Sequence, residues 1–167
     1  ISIDGHNINA LSLKGLRSHI AVVLQDVFLF ADTIENNISL GNSEVSLSEI
    51  EAAAKEIGVH DFIESLPGGY QFNVKERGGM LSSGQRQLIA FLRAYVTKPS
   101  ILVLDEATSS IDSASEQLIQ KATDTITKGR TSIVIAHRLA TIQKAFNILV
   151  MDAGVIVEQG THEALLK

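Results

Sequence analysis

Two stretches of this chain carry residue types and spacing that suit nucleotide chemistry. The first is Leu81-Ser82-Ser83-Gly84-Gln85-Arg86-Gln87, a short polar, glycine-containing turn placed where a helix can begin. Such a turn offers unpaired backbone N–H groups and the positive end of a helix dipole, which together suit a phosphate. The second is the apolar run Ile101-Leu102-Val103-Leu104 followed by Asp105-Glu106. Two carboxylates at the end of a buried strand suit Mg²⁺ and a water molecule. One expected companion is absent from these 167 residues: no Gly-Lys dipeptide occurs, so there is no G-x-x-x-x-G-K-[ST] loop.

Each signal has a plainer reading beside it. Asp105 and Glu106 fit an acidic strand-to-loop junction as well as they fit a metal site. Ser82, with Gln85 three residues on, is most economically a helix cap with its capping box, and Ser83 and Gly84 then belong to the first turn. Asp112, or Ser113 with Glu116, also reads as a cap, the alternative being a contact between subunits. His137 follows an apolar run and precedes Arg138, where a structural, hydrogen-bonded imidazole is the ordinary expectation. Gln25 ends the run Ile20 to Leu24; its amide could reach a metal or water at the carboxyl edge of a sheet, or serve a loop.

These residues need elements to hold them. Ile1-Ser2-Ile3-Asp4-Gly5 reads as a strand end with a turn, at a sheet edge, and Ile20 to Leu24 as a central strand buried on both faces. Asp32-Thr33-Ile34-Glu35 starts a short helix, broken at Gly41-Asn42-Ser43. Ser46 and Glu49 form a capping box ahead of an apolar stripe, Ile50, Ala53, Ala54 and Ile57, that ends at Gly58. A shorter helix follows from His60 to Leu66, stopped by Pro67-Gly68-Gly69. From Ser82 a helix carries Leu88, Phe91, Leu92 and Tyr95 up to Pro99. Ile101–Leu104 and Ser132–Ala136 are strands flanking a helix from about Asp112 to Ile126, which implies a parallel crossover. Asn147–Met151 and Val155–Glu158 around Asp152-Ala153-Gly154 form a hairpin, closed by a short helix from Thr161.

The chain is long enough for one well-buried domain, and its 45 % hydrophobic content excludes general disorder. A net charge of −5 argues against a protein that coats nucleic acid. With no cysteine, disulfides, thiolate metal sites and cysteine nucleophiles are excluded. Apolar runs such as Ile20–Leu24 and Leu88–Leu92 are far short of the roughly 20 residues that span a bilayer. The start, without a Met and inside a strand, reads as though cut from something longer.

In their joint order these residues resemble the ATP-binding cassette family across essentially the whole chain. Leu81 to Gln85 is similar to that family's signature loop, Ile101 to Glu106 to its Walker B strand and catalytic Glu, and Ser109-Ser110-Ile111-Asp112 to its D-loop. Gln25 resembles the Q-loop glutamine and His137 the switch histidine. Gln25 to Phe30 with Thr33-Ile34 and Asn37-Ile38, Glu76-Arg77-Gly78 ahead of the signature, and the Gly160-Thr161-His162-Glu163 ending resemble the exporter branch. Glu76-Arg77-Gly78 looks like the X-loop that senses the coupling helices of a membrane domain; as bare residues it is an ordinary polar turn.

The resemblance implies an α/β fold: a P-loop NTPase (RecA-like) parallel-sheet core, 1–43 and 99–167, lacking its first part. An α-helical subdomain, 44–98, is inserted, and a β-hairpin ends the chain. It implies ATP and Mg²⁺ as cofactors, with Asp105 and Gln25 at the metal, Glu106 as base or water-positioner, and His137 on the γ-phosphate. Ser82, Ser83, Gly84, Gln85 and Asp112 would serve nucleotide held by a second cassette, head to tail. The transmembrane domain of the same transporter is the other implied partner, at the cytoplasmic face of a membrane, with no role for nucleic acid. Ser83 stands where the family usually has Gly, which a negative φ would accommodate. The Walker A loop and its strand would lie upstream of Ile1, so the chain by itself is expected to be inactive and, with unpaired strand edges, prone to self-associate. A soluble cassette ATPase of DNA repair or translation and a non-enzymatic fragment are the competing readings.

Overall fold

The structure is a computed structural model that describes residues 1–105, 113–136 and 139–166. The chain opens with a two-stranded antiparallel ribbon, β1 (Ser2–Ile3) and β2 (His6–Asn7), and then α1 (Leu13–Ser18), capped by Ser12. β3 (Ile20–Val23) leads through a loop to α2 (Ile34–Ser39), whose first turn is capped by the Thr33 hydroxyl. A helical stretch follows: α3 (Leu47–Ile57), α4 (His60–Glu64), two single 3-10 turns, and α5 (Ser83–Val96). β4 (Ile101–Asp105), α6 (Ser113–Thr127) and β5 (Thr131–Ile135) make the crossover. α7 (Leu139–Lys144), the hairpin β6 (Ile148–Asp152) and β7 (Val155–Gly160), and α8 (His162–Leu165) complete the chain.

The local signals act as their chemistry requires. Ser46 and Glu49 make both bonds of the capping box, and α3 buries Ile50, Ala53, Ala54 and Ile57, the stripe that positions i, i+3, i+4 and i+7 must form. Gly58 ends the helix at φ +80, a conformation that L side chains rarely adopt. The hairpin forms with a bulge between Val150 and Met151. α1 and α7 carry no strong period in the sequence; packing of α1 against β3 selects it.

The parallel sheet has the order β3-β4-β5, with Val23 opposite Leu104 and Leu104 opposite Val134. This corrects the expectation for Ile20–Leu24: β3 lies at the edge of the described sheet, not in its centre. Nor is it buried on both faces, since Val22 and Leu24 are 54 % and 61 % exposed while Val23 is buried. A continuous apolar run records hydrophobicity without saying how many layers cover it; here α5 packs on one face only. On that face Ala21, Val23, Leu102, Leu104 and Val134 join Phe91, Leu92, Ile119, Ala122 and Ile126 in the core. Among the described residues the ribbon β1-β2 pairs only with itself, so Ile1–Gly5 is not the edge of a larger described sheet.

Candidate functional site

Parallel pairing in register brings the carboxyl ends of neighbouring strands together, which is where open α/β sheets hold ligands. Val23 pairs with Leu104, so Gln25, two residues past the end of β3, and Asp105, the last residue of β4, leave the sheet from the same end on adjacent strands. Asp105 sits opposite Ile135 and shares with it, Val103 and Val22 the face that α5 does not cover. The carboxylate is therefore half-buried rather than sealed in apolar packing. A carboxylate and a primary amide are hard oxygen donors of the kind Mg²⁺ takes, so this pair fits that metal. Among the described residues no group of three or more His, Asp and Glu side chains gathers as an all-protein metal cage. Glu106, Asp112 and His137 lie outside the described residues.

The turn at Ser82 belongs to another element. The Ser82 hydroxyl accepts from the Gln85 amide at 3.2 Å, and the Ser82 amide donates to Gln85 Oε1 at 2.9 Å, closing the capping box. Ser83 opens α5 with a negative φ, which is the condition for a serine to replace glycine here without backbone strain. The Arg86 guanidinium donates to the Leu81 carbonyl at 2.7 Å and fixes the turn from the helix side. Gly78, at φ +69, approaches so closely that a Cβ there would lie 2.8 Å from Arg86 Cδ and 3.0 Å from Leu29 Cδ1. Three segments thus meet at Gly78: its own 3-10 turn, the loop after Gln25, and the start of α5. Glu76-Arg77-Gly78 is no ordinary turn, since Lys75 and Arg77 also take positive φ, at 60° and 52°.

The loop after Gln25 is built on a buried amide. Asn37, fully buried on α2, accepts from the Phe30 amide at 2.8 Å and donates to the carbonyls of Phe30 and Thr33 at 3.0 and 2.9 Å. Arg93 closes on it from α5. Its Nε donates to the Asn37 carbonyl at 2.8 Å, Nη2 to Asn37 Oδ1 at 3.3 Å, and Nη1 to the Phe28 carbonyl at 3.2 Å. Burial lowers the pKa of this guanidinium from its ordinary value. Phe28 and Phe30 stack edge to face, centroids 5.1 Å apart, with both rings half-exposed. They line an open cleft of about 740 Å³ with Val22, Leu40, Ala90 and Arg93.

The structure therefore brings Gln25 and Asp105 to one sheet end and puts Ser82–Gln85 at the start of a separate helix. Sequence reasoning singled out neither the role of Arg93 nor the cleft. A signal existed: Arg93 interrupts Leu88-Ile89-Ala90-Phe91-Leu92 and Ala94, a charge inside an apolar helix that must find acceptors.

Among the described residues no helix is long and apolar enough to cross a membrane. Residues 1–109 match the family described as ABC transporter. An ATP-dependent lipid A-core flippase of Saccharophagus degradans is 52 % identical over 166 residues, 99 % of this chain and 28 % of that protein. A Bacillus subtilis protein named "Probable multidrug resistance ABC transporter ATP-binding/permease protein YheH" is 49 % identical over 166 residues, covering 99 % of this chain and 25 % of its own length. A bacterial Atm1-family ABC exporter with ATP bound is 44 % identical and superposes with a TM-score of 0.87, over 99 % of this chain and 29 % of that one. The chain thus spans under a third of the length of each of these relatives.

Proposed function

The chain belongs to the ABC transporter family, and from that premise we propose that it is the ATP-hydrolysing module of a membrane exporter. The P-loop NTPase fold expected from the sequence is the fold it has. The observation that carries the proposal is the in-register parallel sheet, which sends Gln25 and Asp105 out from one end on neighbouring strands. The relatives' names, a flippase and an ATP-binding/permease protein, favour an exporter over a soluble repair or translation ATPase.

Bound Mg-ATP supplies the phosphoanhydride and the charge that the metal neutralises. Asp105 and the Gln25 amide oxygen would hold the metal. Glu106 orients the attacking water and accepts its proton, and His137 donates to the γ-phosphate. Ser82–Gln85 offer the N–H groups of Ser83 and Gly84, which the capping box leaves free, to nucleotide bound by a second cassette, and Asp112 serves the same junction, so each site is completed across a head-to-tail dimer. Residues 1–43 and 99–167 act as the catalytic core and 44–98 as the helical subdomain. The transmembrane domain of the parent protein docks at the cleft of Phe28, Phe30 and Leu40, whose exposed rings supply apolar area beside Gln25. The module then works at the cytoplasmic face of the membrane, and without a lysine loop the 167 residues by themselves are inactive.

The test is Glu106→Gln in the full-length parent. ATP binding should persist while hydrolysis falls by roughly two to three orders of magnitude. Near-normal turnover in that variant would sink the assignment.

A further inference from the structure

Arg93 is a half-buried cation with no acidic partner among the described residues, where the only ion pair is Lys144 with Asp124 at the surface. A desolvated charge must be compensated, and here neutral acceptors alone do so: two backbone carbonyls and the Asn37 amide oxygen. A methionine or leucine of similar volume would line the same groove without that cost. What only a guanidinium offers is a rigid fork that reaches several acceptors at once.

Those acceptors are not scattered. Arg93 holds the carbonyl of Phe28 directly, and through Asn37 it braces the amide and carbonyl of Phe30. Asn37 and Arg93 are 56 residues apart in sequence, on different helices. On the other side, Val23 is fixed to Leu104 in the sheet. The four residues between these anchors, 24–27, include Gln25. No hydrogen bond within the described residues ties this span down, and Leu24 is 61 % exposed.

We propose that Arg93 and Asn37 are positioning residues for Gln25: they bolt the backbone of 28–30 to α5, so the span 24–27 is held at both ends, by this clamp and by the pairing of Val23 with Leu104. The proposal rests on the ATPase reading above.

The test uses the full-length parent with Arg93→Lys, Asn37→Ala and the double variant. Lysine keeps the charge but loses the fork, so it should not rescue. Amide hydrogen exchange over 24–30 should rise in each variant without a comparable rise in α3 or α6. The kcat for ATP should fall about tenfold with KM within about twofold, the pattern of lost positioning rather than lost binding. The double variant should be no worse than the more severe single, since both act through one loop. Unchanged exchange over 24–30 overturns the tie whatever the turnover. Raised exchange with unchanged kcat per folded molecule, or additive losses, reduces Arg93 to a structural residue and overturns the positioning role. A wild-type parent without ATPase activity would overturn the functional reading and the catalytic role together, while exchange would still report whether the clamp exists.

Discussion

Two glycines with the same backbone demand but different surroundings give the sharpest test of the packing around the candidate site. Gly58 and Gly78 both take positive φ, +80 and +69. At Gly58 the nearest atoms to a new Cβ are those of the Lys121 side chain, with Nζ at 3.2 Å, and that ammonium tip can swing away. Gly58→Ala should therefore cost little beyond the left-handed conformation, about 1 kcal/mol. At Gly78 the same Cβ would sit 3.0 Å from Leu29, which is fully buried, and 2.8 Å from the Arg86 stem. Arg86 cannot retreat without straining its 2.7 Å bond to the Leu81 carbonyl. Adding overpacking of about 1–2 kcal/mol to the conformational cost gives roughly 3 kcal/mol for Gly78→Ala. For a domain of this size that separates the two variants clearly: the thermal midpoint should fall by about 3 °C for Gly58→Ala and about 9 °C for Gly78→Ala. Scanning calorimetry or far-UV circular dichroism at one protein concentration reads both. Equal shifts would refute the idea that Gly78 is held by contact between three segments, because backbone strain alone would then explain it.

Three other outcomes follow from the same structure. The 167-residue chain alone should bind Mg-ATP weakly or not at all, since no Gly-Lys loop cradles the β- and γ-phosphates; low-micromolar affinity by calorimetry contradicts this. Bonds from the Ser46 amide and hydroxyl lower the pKa of Glu49 below its ordinary 4.5, so its contribution to stability is full above pH 4.5 and is lost as pH falls through the lower folded value. Glu49→Gln should flatten the acid limb of the stability curve, and denaturant melts between about pH 2 and pH 6 will show whether it does. The chain should also self-associate, because Val22, Ile133, Ile135, Met151, Val155 and Val157 are all at least half exposed on its sheets. A concentration-independent monomer in light scattering would count against that.

Much of the site could be read from short-range signals. Ser46 with Glu49 and Ser82 with Gln85 announce helix starts because a hydroxyl, an amide and a carboxylate or carboxamide three residues apart satisfy one another within a single turn. The acid after Ile101–Leu104 and the glutamine after Ile20–Leu24 likewise mark strand ends. As bare residues Glu76-Arg77-Gly78 read as a plain turn, because nothing in them shows that Leu29 and Arg86 will close upon the glycine.

The sequence by itself determined most of the elements, the capping boxes, the acidic strand end and the family to which they belong, since these signals lie in residues a few positions apart; α1 and α7 carry no such signal. Tertiary structure alone decided that β3 is an edge strand open on one face, and that Asn37 and Arg93 clamp the loop after Gln25. The physical reason is common to both. A hydrophobic run or a lone arginine in a helix fixes what a residue needs, an apolar neighbour or a set of acceptors, but not which distant segment provides it. That choice is made only when strand register and helix packing bring the segments together.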